Sequence, residues 1–235
     1  MALEALFFDV GRTLLTEEPS RFEIYAEAAR SRGHDLTEDA MKRVMRTANQ
    51  EVAASDGGAY RYTDAWFRTY IHRIFCQDLG LPPQVLDELT NELLERFSNP
   101  TTFRIFPGAH ELLGELKEHG LKLGVISNWG ERLVALLERC ELRSYFDVVL
   151  CSAAEKMEKP NPDLFHLALE RVGASAANAV HIGDHPVEDG GAQAIGMDYV
   201  MLDHFAQSQP STADGFAIVR SFEDLRIHLS NHLDQ

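Results

Sequence analysis

The 235-residue sequence predicts an α/β fold, a doubly wound parallel sheet interrupted by an inserted four-helix bundle. Three observations predict it. From Leu121 onward, short apolar runs alternate with stretches of helical periodicity, as in successive strand-crossover-strand units. Between residues 17 and 99, four amphipathic stretches follow one another with no strand among them. Finally, Phe7-Phe8-Asp9, Val125-Ile126-Ser127-Asn128 and His181-Ile182-Gly183-Asp184 are apolar runs that close on polar residues, as parallel strands do beside a ligand crevice. The core is therefore expected over 1–16 and 100–235, and the helical insertion over 17–99.

The elements follow in order. Ala5 to Phe8 is short and uniformly apolar, which favours a strand buried on both faces and leaves Asp9 at its carboxyl end. A turn aspartate capping the next element is the plainer alternative. Helices are expected from Arg21 to Arg32, from Thr37 to about Ala54, and from Thr63 through Trp66, Phe67, Tyr70, Ile71 and Ile74. A fourth follows Pro82-Pro83. The break Asp56-Gly57-Gly58 separates the second from the third, and the aromatic stripe has the spacing of bundle core rather than of a cofactor box. After Pro107-Gly108 come a helix to Gly120, a strand over Leu121 to Ile126, a helix over Glu131 to Cys140 and a strand over Asp147 to Cys151. Next are a helix over Pro162 to Val172, a strand over Ala179 to Ile182, a short helix over Gly190 to Ile195 and a strand over Tyr199 to Leu202. A polar loop at Ser208 to Asp214, a short strand over Phe216 to Val219 and a closing helix over Phe222 to Leu233 complete the chain.

Composition narrows the function classes. Acids outnumber bases 37 to 22, a net charge of -15, which argues against nucleic acid or an anionic membrane as main partner but leaves room for a small phosphate ester at a locally charged site. Cys76, Cys140 and Cys151 have no paired spacing, so neither a disulfide framework nor a zinc site is indicated. No apolar run approaches the roughly 18 residues of a membrane span, and no basic stretch precedes the first apolar one, so a cytoplasmic address is expected. The oligomeric state is not legible.

Parallel strands point one way, so the three polar strand ends should converge and bring Asp9, Ser127, Asn128 and Asp184 to one rim. Two carboxylates placed together repel unless a cation lies between them, and hard oxygen ligands of this kind suit Mg²⁺. Asp189, five residues after Asp184, is positioned to hold the cation's waters, with helix capping as the alternative. In Lys159-Pro160, the proline restricts the lysine backbone and directs its side chain out of the loop, where its charge could neutralise a transferring phosphoryl group.

Asp9 with Thr13, then Ser127-Asn128, Lys159-Pro160 and Gly183-Asp184 with Asp189, resemble in order and spacing the four motifs of the haloacid dehalogenase-like hydrolase superfamily. The likeness covers nearly the whole chain. Phe97-Ser98-Asn99-Pro100, Ser127 to Leu133 and Tyr145-Phe146-Asp147 resemble in particular the branch of haloacid dehalogenase-like hydrolase domain-containing protein 3. The resemblance implies a Rossmann-like core with a helical cap and transfer of a phosphoryl group from a small metabolite to Asp9. It also implies Mg²⁺ held by Asp9, the Gly11 carbonyl and Asp184 with Asp189 behind, a phosphate site including Thr13, Ser127, Asn128 and Lys159, and Thr13 tying down the first loop.

One departure bears on the chemistry. Phosphatases of this kind usually carry a second aspartate, the general acid and base, where this chain has Gly11. Asp184 favours the metal-dependent reactions over dehalogenation, so a Mg²⁺-dependent phosphatase is expected, best on acidic leaving groups such as acyl or aryl phosphates. The alternatives are a weak or silent member that binds Mg²⁺ and phosphate, and a 2-haloacid dehalogenase. Arg12 and His185 are expected to face solvent, with substrate steering and acid-base substitution as their respective alternatives.

Overall fold

The computed structural model describes residues 3–55, 60–206 and 215–233. The expected break at Asp56-Gly57-Gly58 and the loop Ser208 to Asp214 lie outside them. Strand β1 (Ala5–Phe8) is followed by a short β2 (Leu15–Glu17), and then by helices α1 (Arg21–Arg30), α2 (Glu38–Ser55), α3 (Asp64–Ile71) and α4 (Leu86–Arg96). Ser20 and Thr63 cap α1 and α3, their hydroxyls accepting from the N–H of Glu23 and Trp66. Helix α3 widens into a π-helical segment, His72–Asp78, and a 3₁₀ turn at Pro83–Val85 introduces α4. The apolar faces of these helices meet in their own cluster, centred on Tyr25, Met41, Trp66, Tyr70, Ile71 and Phe75. Most of the aromatic stripe is thus bundle core, while Phe67 packs against that cluster's edge.

Strand β3 (Phe103–Ile105) returns the chain and pairs antiparallel with β2, Glu17 opposite Phe103 and Leu15 opposite Ile105. This two-stranded ribbon carries both ends of the helical insertion. Thereafter come α5 (Ala109–Glu118), β4 (Lys122–Ser127), α6 (Leu133–Arg139), β5 (Val148–Cys151), α7 (Ser152–Glu155), α8 (Pro162–Val172), β6 (Ala179–Gly183), α9 (Pro186–Asp189), β7 (Asp198–Leu202), β8 (Ala217–Val219) and α10 (Phe222–Leu233). The strands form one sheet in the order β5-β4-β1-β6-β7-β8, every pair parallel.

Strand alternation divides the core between the two faces of the sheet. Leu6 and Phe8 point into a cluster with α5, α6 and α10, whereas Ala5 and Phe7 point into another with α8. Gly124 on β4 makes room for Phe7, whose ring lies where a Cβ would be. Both faces of β1 are covered, which explains its uniformly apolar composition.

Two expected elements are placed differently. The short helix expected over Gly190 to Ile195 is instead α9, followed by a 3₁₀ turn at Gln193–Ile195, because Pro186 supplies a favourable first helical residue. Helix α6 starts at Leu133 rather than Glu131. The three cysteines are free thiols. No helix among the described residues is long and apolar enough to cross a membrane.

Candidate active site

Register brings the polar strand ends together. Phe8 pairs with Val125 on one side and Ile182 on the other, so the chains beyond these residues leave the sheet along one rim. The Asp9 N–H donates to the Ile182 carbonyl at 2.8 Å, extending the ladder by one residue and fixing where the Asp9 carboxylate starts. Asp9, Asp184 and Asp189 each offer an oxygen within 4.8 Å of the others.

Lys159 anchors this cluster. Its Nζ lies 3.0 Å from Asp9 Oδ1 and 2.6 Å from Asp189 Oδ1, and its side chain is 1% exposed. Burial alone would depress the ammonium's pKa, but the carboxylates of Asp189 and Asp9 more than reverse this and hold it well above the ordinary lysine value. Asn128 holds the lysine's backbone, its Oδ1 accepting from Lys159 N–H at 2.8 Å and its Nδ2 donating to Lys159 O at 3.0 Å. That Nδ2 also donates to Glu188 Oε2 at 2.9 Å. The Asn128 amide is thus committed to positioning the lysine loop.

Asp189 ends α9 and is completely buried. Its Oδ1 also meets His181 Nε2 at 2.8 Å, and its Oδ2 accepts the His185 backbone N–H at 3.0 Å. Burial raises its pKa, yet Lys159 and His181 outweigh burial and hold the carboxyl well below its usual range. The carboxylate occupies the space a Cβ at position 183 would need, which is why glycine precedes Asp184.

Asp184 differs. Burial, and then the charge of Asp9, push its carboxyl up to about 6, although Arg12 counteracts both. Arg12 Nε donates to Asp184 Oδ2 at 2.8 Å, and its guanidinium lies 4.5 Å from the centre of the Phe205 ring. Arg12 therefore faces the site rather than solvent alone, correcting the expectation from sequence. Two crowded carboxylates, one of them resisting ionisation, make a donor set suited to a hard divalent cation. Because both Asp189 oxygens are engaged, Asp9 and Asp184 are the side chains left to hold it.

These two line a cavity of about 640 Å³ with Gly11, Ser127, Asn128 and His185. Thr13 does not line it; its hydroxyl is buried without a hydrogen-bond partner among the described residues, and its carbonyl faces His204 Nε2 at 3.1 Å. The exposed His185 ring accepts from Glu188 N–H through Nδ1 at 3.3 Å. The far walls come from the helical insertion and include Phe22, Trp66, Phe67, Tyr70 and Phe97.

Sequence reasoning missed His181, Glu188 and Trp129. His181 could have been read as a polar residue inside an apolar strand; nothing in the sequence shows that Trp129 stands over Gly11. A Cβ built on Gly11 would lie 3.1 Å from Trp129 Cζ3, so this ring borders the space of the missing second aspartate. Gly11 is not among the positive-φ glycines, so an added side chain would meet the ring, not backbone strain.

Comparison with known proteins agrees with this geometry. The family model described as haloacid dehalogenase-like hydrolase matches residues 6–202. Haloacid dehalogenase-like hydrolase domain-containing protein 3 of Bos taurus is 33% identical over 203 residues, 84% of this chain and 80% of that protein. The ribulose-1,5-bisphosphate 5-phosphatase of Halopiger xanaduensis is 29% identical over 227 residues, 92% of each chain. The crystal structure of a HAD phosphatase from Thermococcus onnurineus has a TM-score of 0.68 and 26% identity, covering 97% of this chain and 98% of that one.

Proposed function

Since the chain belongs to the haloacid dehalogenase-like hydrolase family, we propose that it is a Mg²⁺-dependent phosphatase of a small phosphorylated metabolite, with Asp9 as nucleophile. The observation that carries this reading is Lys159 Nζ 3.0 Å from Asp9 Oδ1. This contact keeps one carboxylate oxygen oriented and places a buried positive charge beside the phosphoryl group during transfer. Phosphatases among the relatives favour the same reaction class.

Asp9 attacks phosphorus, the bond to the leaving oxygen breaks, and its electron pair departs on that oxygen. Water then attacks the aspartyl phosphate, returning an electron pair to Asp9 and releasing phosphate; a proton from that water accounts for the one the leaving oxygen gains. Mg²⁺, held by Asp9, Asp184 and the Gly11 carbonyl, with Asp189 behind, would supply charge neutralisation at the phosphoryl oxygens. Ser127 lines the cavity as a phosphate ligand, and Asn128 acts through the Lys159 loop. Thr13 belongs to the packing of the first loop. The insertion over 17–99 serves as a cap on the core of 1–16 and 100–235, excluding water and selecting the leaving group. A cytoplasmic address and independence from nucleic acid complete the proposal.

Gly11 motivates a second reading, a binding protein that holds Mg²⁺ and phosphate without turnover. Phosphate release from a panel of esters, with and without Mg²⁺, separates the two. The phosphatase reading expects Mg²⁺-dependent release that Asp9→Asn abolishes. Binding without release from any ester would favour the silent protein.

A further inference from the structure

We propose that this site takes aryl phosphates, the phosphate monoesters of phenols, with the Trp129 ring as platform for the leaving ring. This inference rests on the phosphatase reading and specifies its substrate class. It joins two observations that arise separately.

The first is the leaving-group problem. With glycine at position 11 and Trp129 against the space a side chain there would enter, neither provides an acid for a basic alkoxide. An alkoxide is about as poor a leaving group as hydroxide, whose parent acid has a pKa of about 16. A phenolate, whose parent acid resembles the tyrosine side chain at about 10, can depart unprotonated. In the balanced step, Asp9 Oδ bonds to phosphorus, the P–O(aryl) bond breaks, and the pair leaves as phenolate, which then takes its proton from water. Without an acid at position 11, alkyl esters are thus the disfavoured class.

The second observation is the composition and rigidity of the wall. Trp129 is partly exposed and lines the cavity beside Gly11 and Asp9. Its carbonyl accepts from the Ser152 hydroxyl at 3.3 Å and the Ala153 N–H at 3.2 Å, and Phe103 flanks its ring at 6.0 Å between centroids. The next residue, Gly130, lies so close to the insertion that its Cβ would be 2.9 Å from the Tyr62 carbonyl. The backbone that carries the ring is therefore held at the seam between core and insertion, with Phe103 beside the ring. The cavity is lined as well by Phe22, Phe67 and Phe97, with charged residues such as Arg21, Arg46 and Asp64 among them. A hydroxyl-rich sugar leaving group would bury polar groups against these rings, whereas an aromatic ring would find π faces at low ordering cost.

The test uses the full chain loaded with Mg²⁺. Phenyl, benzyl and propyl phosphate separate ring recognition from leaving-group acidity, since benzyl phosphate has a ring but an alkyl leaving oxygen. Wild type should turn over phenyl phosphate fastest, show a similar KM for benzyl phosphate with a much lower kcat, and be poor in both constants on propyl phosphate. Trp129→Leu should raise KM for the two ring-bearing esters about 3- to 10-fold, leave the KM for propyl phosphate unchanged, and be largely rescued by Trp129→Phe. Calorimetric binding of benzylphosphonate and propylphosphonate to wild type gives a readout independent of turnover and of the variants' folding. The proposal expects about tenfold tighter binding of the benzyl compound. Equal affinity for the two phosphonates, or propyl phosphate turned over as well as phenyl phosphate, would overturn it. Failure to release phosphate from any ester while the benzyl preference persists would instead overturn the phosphatase reading and leave the aromatic platform standing.

Discussion

Arg12 Nε donates to Asp184 Oδ2 at 2.8 Å, which places a cation of the protein's own on one of the two carboxylates available to a metal. Arg12 reaches it from a left-handed backbone conformation, φ 62°, in the turn that follows Asp9. Loop shape and local charge are thus coupled.

Removing this guanidinium should help Mg²⁺ to bind. Arg12→Ala takes away both a competing donor and a positive charge, and because the arginine is partly exposed the gain is moderated by solvent, to about threefold to tenfold. Calorimetric titration with Mg²⁺ reads the effect directly. Weaker binding in the variant would mean that Arg12 orients Asp184 for the cation rather than competing with it.

Restoring an acid at position 11 should depend on Trp129. Gly11→Asp alone brings the new Cβ to 3.1 Å from Trp129 Cζ3, so the ring must shift by a few tenths of an ångström before the carboxylate can be used. Combined with Trp129→Leu, it should raise turnover of alkyl esters by up to the about 10²- to 10⁴-fold typical of general acid catalysis, and that of aryl esters much less. A wild-type rate independent of leaving-group basicity would show that another residue already serves as the acid.

The helical insertion should be separable. Its ends are joined by the β2-β3 ribbon, where Glu17 pairs with Phe103, and its apolar faces form their own cluster. Arg61 with Glu158 and Arg132 with Asp64 link it to the rest of the chain through partly exposed ion pairs, each worth little alone. Replacing the segment between Glu17 and Phe103 by a short Gly/Ser linker should leave a soluble protein that binds Mg²⁺ but discriminates poorly among esters. A truncated protein as selective as the full chain would remove the insertion from the specificity argument.

Acid sensitivity should be measurable at Asp147, remote from the site. Burial raises its pKa, but the Leu123 N–H at 2.9 Å and the Lys117 ammonium at 2.9 Å outweigh burial and bring it below its ordinary 3.8. The unfolded chain then binds the proton more readily, so the contribution is complete above 3.8 and fades as pH falls through the lower folded value. Asp147→Ala should cost about 1 kcal/mol at neutral pH. Urea denaturation at pH 7 and near pH 2 should show the difference from wild type shrinking in acid; a constant difference would assign the loss to packing.

Sequence exposed what local chemistry determines. The buried parallel strands appear as uniform apolar runs, and the helices through periodicity and through starts such as Thr63. The polar strand ends pointed to Asp9, Ser127 and Asp184 because parallel topology sends them to one rim, and Lys159 stood out through the proline that follows it. What escaped depends on residues distant in sequence. Strands β2 and β3 are three residues each, too short for alternation to register, and they pair across the whole helical insertion. Arg12 reaches Asp184 and Trp129 reaches Gly11 across loops whose shapes are not encoded in either residue type. Helix α9 was misplaced although Pro186 marked its start.

The most direct measurement of the central claim is acid quenching of the Mg²⁺-loaded protein during turnover of phenyl phosphate, followed by mass spectrometry of the peptide carrying Asp9. With glycine at position 11 in place of the aspartate that would serve as base for the hydrolytic water, the protein should accumulate a phosphoryl adduct on Asp9, lost in Asp9→Asn together with phosphate release. Steady phosphate release by Asp9→Asn, or a wild-type adduct on any residue other than Asp9, would contradict the account.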